Sequence, residues 1–167
     1  MTIARPPRFA PAGLVALALA ASALAVPAEA RRTPRSCAAV TEAQVAAQFE
    51  RFNAAWATRN PDTVTALFAP DATLLATVSN AERKGPDQIR DYFVGFLKGA
   101  PVGRIDSSTI LIDCNMASRT GNWTVTMTNA NGERVDVPAR YSFLYRWDGR
   151  DWKIQHLHSS VRPPVSP

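Results

Sequence analysis

The sequence predicts an α+β domain in which three N-terminal helices pack on a curved antiparallel sheet and enclose a cone-shaped pocket. Three observations predict it. Capped apolar stripes of helical period occur only before Gly103. After Gly103 the chain is rich in Thr, Val, Ile and aromatic residues, as strands are. Asn131-Gly132 and Asp148-Gly149 stand between consecutive runs, and such dipeptides are strong hairpin signals. Helices gathered ahead of a meander of this kind cover one of its faces.

The elements follow in order. Thr41 with Gln44 three residues on forms a capping box. Val45, Phe49, Phe52 and Trp56 then make one apolar stripe of a helix running to about Thr58. Asn60-Pro61-Asp62 restarts a helix with an N-cap, a proline in its first position and an acid in its first turn. Val64, Leu67 and Phe68 form its buried face, and Ala69-Pro70 stops it. A strand is expected over residues 73–78. Pro86 opens a third helix with Ile89, Phe93, Phe96 and Leu97 towards the core, ended by Gly99 and Pro101. Four strands follow, over residues 105–113, 118–128, 134–147 and 152–161. Pro163, Pro164 and Pro167 mark residues 163–167 as a disordered tail.

The N-terminus predicts export. Arg5 and Arg8 precede an apolar run over residues 13–26, and Ala28-Glu29-Ala30 reads as a cleavage site. The run is too short to span a bilayer, so residues 1–30 are expected to be a signal peptide cleaved after Ala30, with no membrane contact afterwards. Residues 31–40 form a lead-in tail and 41–162 the domain, in the periplasm or secreted. The net charge is +5, but Arg31, Arg32 and Arg35 sit in the lead-in tail; from Cys37 onward 14 basic residues face 13 acidic ones. The domain therefore shows no basic footprint for nucleic acid.

Cys37 and Cys114 are the only cysteines. In an oxidising compartment an even pair reads as a disulfide, against the alternative of two buried thiols. Closing so long a loop stabilises by about 4 kcal/mol in the chain-entropy model. There is no C-x-x-C spacing to suggest a redox-active pair or a zinc site.

The order helix, helix, strand, helix, then four strands resembles the nuclear transport factor 2-like, or SnoaL-like, superfamily. Trp152-x-Ile154-x-His156-x-His158-x-Ser160, with Trp56, Asp91-Tyr92-Phe93 and Asp148-Gly149, is similar to the calcium/calmodulin-dependent protein kinase II association domain. Ser79-Asn80, Arg83, Pro101-x-Gly103, Cys114-Asn115 and Ala139-Arg140-Tyr141 bring it closer to secreted bacterial relatives of the SgcJ/EcaC type. Where association domains carry an arginine after the second histidine, Ser159 stands here, so a cationic pocket would rest on Arg140 and Arg83. No Gly-rich loop, H-R-D or D-F-G is present, and no dinucleotide fingerprint follows a strand, so neither kinase chemistry nor a cofactor is implied.

Seven residues are candidates for a ligand pocket. His156 and His158 share one strand face, roughly 7 Å apart, either in the cavity or outside it. They read as pocket hydrogen-bonding groups, as structural histidines, or as zinc ligands that still need a third and fourth partner. Arg140 reads equally as a carboxylate anchor or as half of an internal ion pair. Asn80 and Arg83 stand at the expected cavity rim, or serve turn chemistry alone. Trp56 and Tyr92 fall on helical stripes as core or cage. No catalytic residue is assigned: Asp106 and Asp113, the acids of the 105–113 strand, are expected at strand ends rather than in the cavity.

The functional expectation is an exported small-molecule-binding or oligomerisation domain with a central polar pocket, its ligand unidentified but suited to an anion. Tyr141, Phe143, Tyr145 and Trp147 suggest a second apolar sheet face that calls for a partner copy, giving a homodimer or larger. The rival is an enzyme of the ketosteroid isomerase or polyketide cyclase kind, using a pocket histidine as acid or base. A cavity lined by ionisable groups of shifted pKa would favour the enzyme. One filled by aromatic side chains would favour the oligomerisation module.

Overall fold

The helix over Glu42–Ala57, α1, starts as its sequence dictates. Thr41 Oγ1 accepts from the Gln44 amide, and Gln44 Oε1 accepts from the Thr41 amide at 2.8 Å, closing the capping box. The computed structural model describes residues 36–163. The expected signal peptide, the lead-in tail up to residue 35 and residues 164–167 lie outside the described residues. Along α1 the stripe Val45, Phe49, Phe52 and Trp56 is buried. Asn60 caps the short α2, Pro61–Thr65, and Asp62 in its first turn pairs with Arg90 of α3, Gly85–Phe96. A 3₁₀ turn, Leu97–Gly99, completes the third helix.

Here one expectation is corrected. The second helix does not reach Ala69-Pro70: it ends at Thr65, and Phe68–Leu75 is already a strand, β1. Pro70 is tolerated because it lies in the register shift between Phe68 and Thr73, where the ladder is interrupted and no proline N–H is needed. A three-residue strand, β2 (Glu82–Lys84), follows, too short to leave an alternating signal in the sequence. The long strands are β3 (Val102–Asp113), β4 (Met116–Thr128), β5 (Arg134–Trp147) and β6 (Trp152–Val161).

Among the described residues the strands form one sheet in the order β2-β1-β6-β5-β4-β3. All pairs are antiparallel except β1 with β6. Register shifts between Ile105 and Ser107 and between Leu144 and Tyr145 bend it, as bulges do. The bend is tight at Gly121, where a Cβ would lie 2.0 Å from the Ser107 carbonyl oxygen. Gly103 is similar: a Cβ would lie 2.9 Å from the Phe49 ring, and Asn53 clasps both Gly103 backbone groups at 2.9 Å. The sheet thus wraps the helices, and the core is the space between them.

Cys37 and Cys114 are bonded, with 4.7 Å between their Cα atoms. The bridge pins the segment before α1 to the β3–β4 turn. There Asn115, in a left-handed conformation, accepts from the Ala38 amide at 2.8 Å.

Candidate functional site

Strand alternation decides which side chains enter the cone. On β5, Ala139, Tyr141, Phe143 and Tyr145 are buried, so Arg140, Ser142, Leu144 and Arg146 lie on the outer face. On β6, Ile154 points inward, but Gln155 is an extra residue between the pairs Tyr145↔Ile154 and Leu144↔His156. Alternation restarts after it, with Leu157 and Ser159 inside and His156 and His158 outside. Without that bulge the histidines would share the face of Ile154.

The cone is therefore not the polar pocket expected. Its walls are Phe52, Trp56 and Phe93 from the helices and Trp123, Val125 and Leu157 from the sheet. Its open space is only about 20 Å³, room for roughly one water. The rings fill it with edge-on and tilted contacts, such as Phe52–Phe143 at 5.4 Å and Trp56–Trp123 at 5.8 Å. The polar atoms inside belong mainly to a hydroxyl cluster: Ser159 Oγ accepts from Trp123 Nε1 at 3.0 Å and from Thr77 Oγ1. Sequence reasoning passed over this cluster, because a serine and a threonine on separate strands carry no spacing signal. Trp56 Nε1 is buried without a partner among the described residues.

Among the described residues, no Asp, Glu, His, Lys or Arg lines this cavity. Its one titratable group is Tyr92, half-buried at the mouth; burial pushes its hydroxyl well above the usual tyrosine range, with the Arg83 cation pulling the other way. Tyr92 stacks on Phe96 at 5.3 Å, and together they form the wall between the cavity and an outer groove of about 610 Å³. Arg83, Asp91, Lys98 and Asn129 stand around that groove.

The candidate residues thus separate into three places. Trp56 and Tyr92 line the cone, with Arg83 at its mouth. Asn80 is exposed in the β1–β2 connection, in an edge hollow it shares with His158. Arg140, His156 and His158 do not enter the cavity. Arg140 and His158 border an outer hollow, while His156 is half-buried between Thr73 and Leu144. Burial lowers the His156 pKa, the His158 charge lowers it further, and Glu82 opposes both. Among the described residues no group of three or more His, Cys, Asp or Glu side chains is placed to hold a metal ion.

Two further expectations change. The aromatic residues of β5, Tyr141, Phe143 and Tyr145, face the core, so they are not a second apolar face awaiting a partner. Asp106 sits at the β3 bulge, where it accepts from Thr124 Oγ1 at 2.8 Å and pairs with Arg104 at 3.0 Å. Inside the sheet, the buried cation Arg119 is held by Ser108 Oγ and the Ala46 carbonyl, with its guanidinium 5.5 Å from the Phe49 ring centre.

Comparison with known proteins agrees with this architecture. The model of the SnoaL-like domain matches residues 49–156. A candidate calcium/calmodulin-dependent protein kinase II association domain from Xanthomonas campestris is 46% identical, with a TM-score of 0.70 over 77% of this chain and 96% of that one. A nuclear transport factor 2-like superfamily protein from Salmonella enterica shares the fold at 17% identity and TM-score 0.65, over 74% of this chain and 92% of that one. So does a ketosteroid isomerase-like protein from Erwinia carotovora atroseptica, at 17% identity and TM-score 0.61, over 73% and 96%. No curated protein matches the chain. With its three helices on a wrapped sheet and a family match across most of the domain, this chain belongs to the SnoaL-like family of the nuclear transport factor 2-like fold.

Proposed function

We propose that the protein is an exported, non-catalytic module that associates with further copies of itself. The observation that carries this reading is the cone. It is filled by its own aromatic side chains and, among the described residues, lined by no acid or base, so it serves as a core rather than as a proton-shuttling site. The likeness to an association-domain candidate at 46% identity supports self-association. The disulfide and the A-x-A site at Ala28-Glu29-Ala30 support export to the periplasm or beyond. With the β5 aromatics turned inward, the contact falls to the β3 edge. That strand is 12 residues long, is unpaired on one side among the described residues and exposes Leu111 at 68%. An open edge of this length is a template for another strand. Light scattering of the mature chain at high micromolar concentration is expected to give a dimer or larger, and Thr109→Pro to reduce it to monomer. A monomeric wild type contradicts the reading.

The groove favours a second reading, a small ligand held at the mouth. It is roomy, adjoins the aromatic cone through Tyr92 and Phe96, and carries Arg83 with no ion pair among the described residues. A flat apolar acid fits that combination. Arg83→Gln would then weaken binding of 2-naphthoate by about 1.5–3 kcal/mol, the worth of a hydrogen bond to a charged group. Equal affinity in both proteins would remove this reading.

A further inference from the structure

The outer face of the sheet holds a second polar constellation, separate from cone and groove and independent of self-association. On neighbouring strands Arg140 is paired with Ser160, and Ser142 with His158. In an antiparallel ladder, partners across the strands stand about 5 Å apart and like-facing residues along one strand about 7 Å. The four side chains therefore occupy the corners of a small rectangle, and they border a hollow of about 290 Å³.

Their chemistry is rich in donors and carries no negative charge. A guanidinium has five N–H donors and no acceptor, each hydroxyl has a rotatable donor, and an imidazole offers at least one N–H. Among the described residues, no carboxylate lines the hollow. Arg140 takes part in none of the ion pairs among the described residues. The acids elsewhere on this face are already engaged. Glu82 pairs with Lys84, Asp71 with Arg146, Asp106 with Arg104 and Arg162, and Asp136 accepts from Thr126. Asn122, opposite Arg140 on β4, is bonded to Ser107.

From this arrangement we infer that the Arg140–Ser142–His158–Ser160 hollow is a binding site for a tetrahedral oxyanion, a phosphate group above all. Such a group presents several acceptors in a small volume, and a guanidinium takes two of them side by side. The two hydroxyls and the imidazole approach from the other corners. Phosphate in the periplasm is free or carried on a lipid headgroup, and both sources offer the same chemistry to the hollow.

The test uses the mature, disulfide-bonded chain and amide NMR shifts. Titration with inorganic phosphate is expected to give saturable shifts at residues 140–142 and 158–160. Arg140→Gln should weaken the affinity at least tenfold, Arg140→Lys should restore part of it, and Arg83→Gln at the cone mouth should leave it unchanged. Unaltered thermal unfolding of Arg140→Gln would show that the loss is not one of fold. Vesicles with and without phosphatidic acid separate the sources. Binding that depends on phosphatidic acid and on Arg140 assigns the lipid, and phosphate binding with inert vesicles assigns the free anion; either supports the site. Shifts that never saturate, that persist in Arg140→Gln, or that centre on Arg83 overturn it.

Discussion

The two faces of this one sheet are chemical opposites. Inside, β4 and β5 present Trp123, Val125, Tyr141, Phe143 and Tyr145 to the helices, and the rings leave almost no space. Outside, the same strands present Ser118, Thr120, Asn122, Arg140 and Ser142. The contrast teaches where chemistry is available in this molecule. The concave side, where a pocket is expected of such a fold, is occupied by the protein itself. The convex side and the rims carry unspent donors and an open edge.

Replacing one residue on each face sharpens that contrast most strongly. Phe143 is fully buried against Phe49, Phe52 and Trp123. Phe143→Ala should therefore cost about 3–5 kcal/mol in urea unfolding. Leu144, next to it but turned outward and half-buried, should cost well under half of that when changed to Ala. Equal losses would mean that the outer face is also packed, which would place a partner copy there.

The disulfide ties the segment before α1 to the β3–β4 turn. Cys37→Ala together with Cys114→Ala should lower stability by about 2–4 kcal/mol, read from the same unfolding curves. No change in midpoint would show that Asn115 and the Ala38 amide hold the segment unaided.

The smallest expected effect belongs to His156. Its folded pKa is lowered, first by burial and then by His158, so the unfolded chain takes up the proton more readily. Stability is thus greater above the ordinary histidine pKa of 6.5 and falls as pH drops through it. His156→Gln should flatten the unfolding midpoint between pH 7.5 and 5.5. A slope of the same size in the variant would assign it to other groups.

Much of this architecture is written locally in the chain. The Thr41–Gln44 box, the Val45–Phe49–Phe52–Trp56 stripe and the glycine turns at Gly132 and Gly149 form from near neighbours, so they are legible in the sequence. What was not legible depends on pairing between distant strands. Pro70 reads as a helix stop until the gap in the β1–β6 ladder is known. The side of His156 and His158 hinges on the bulge at Gln155, which exists only because β5 sets the register. Arg140 could be placed only once the neighbouring tyrosine and phenylalanine were known to face the helices, since alternation gives two faces without saying which is the core.

Native mass spectrometry of the disulfide-bonded chain from residue 31 onward, prepared without refolding, tests the central proposal most directly, that the cone is a core and the chain an assembling module. The expected result is an oligomer whose subunit mass equals that of the disulfide-bonded chain, with no small molecule retained inside the cone. A monomer that carries a bound organic molecule of a few hundred daltons, lost on Trp56→Ala, would contradict it.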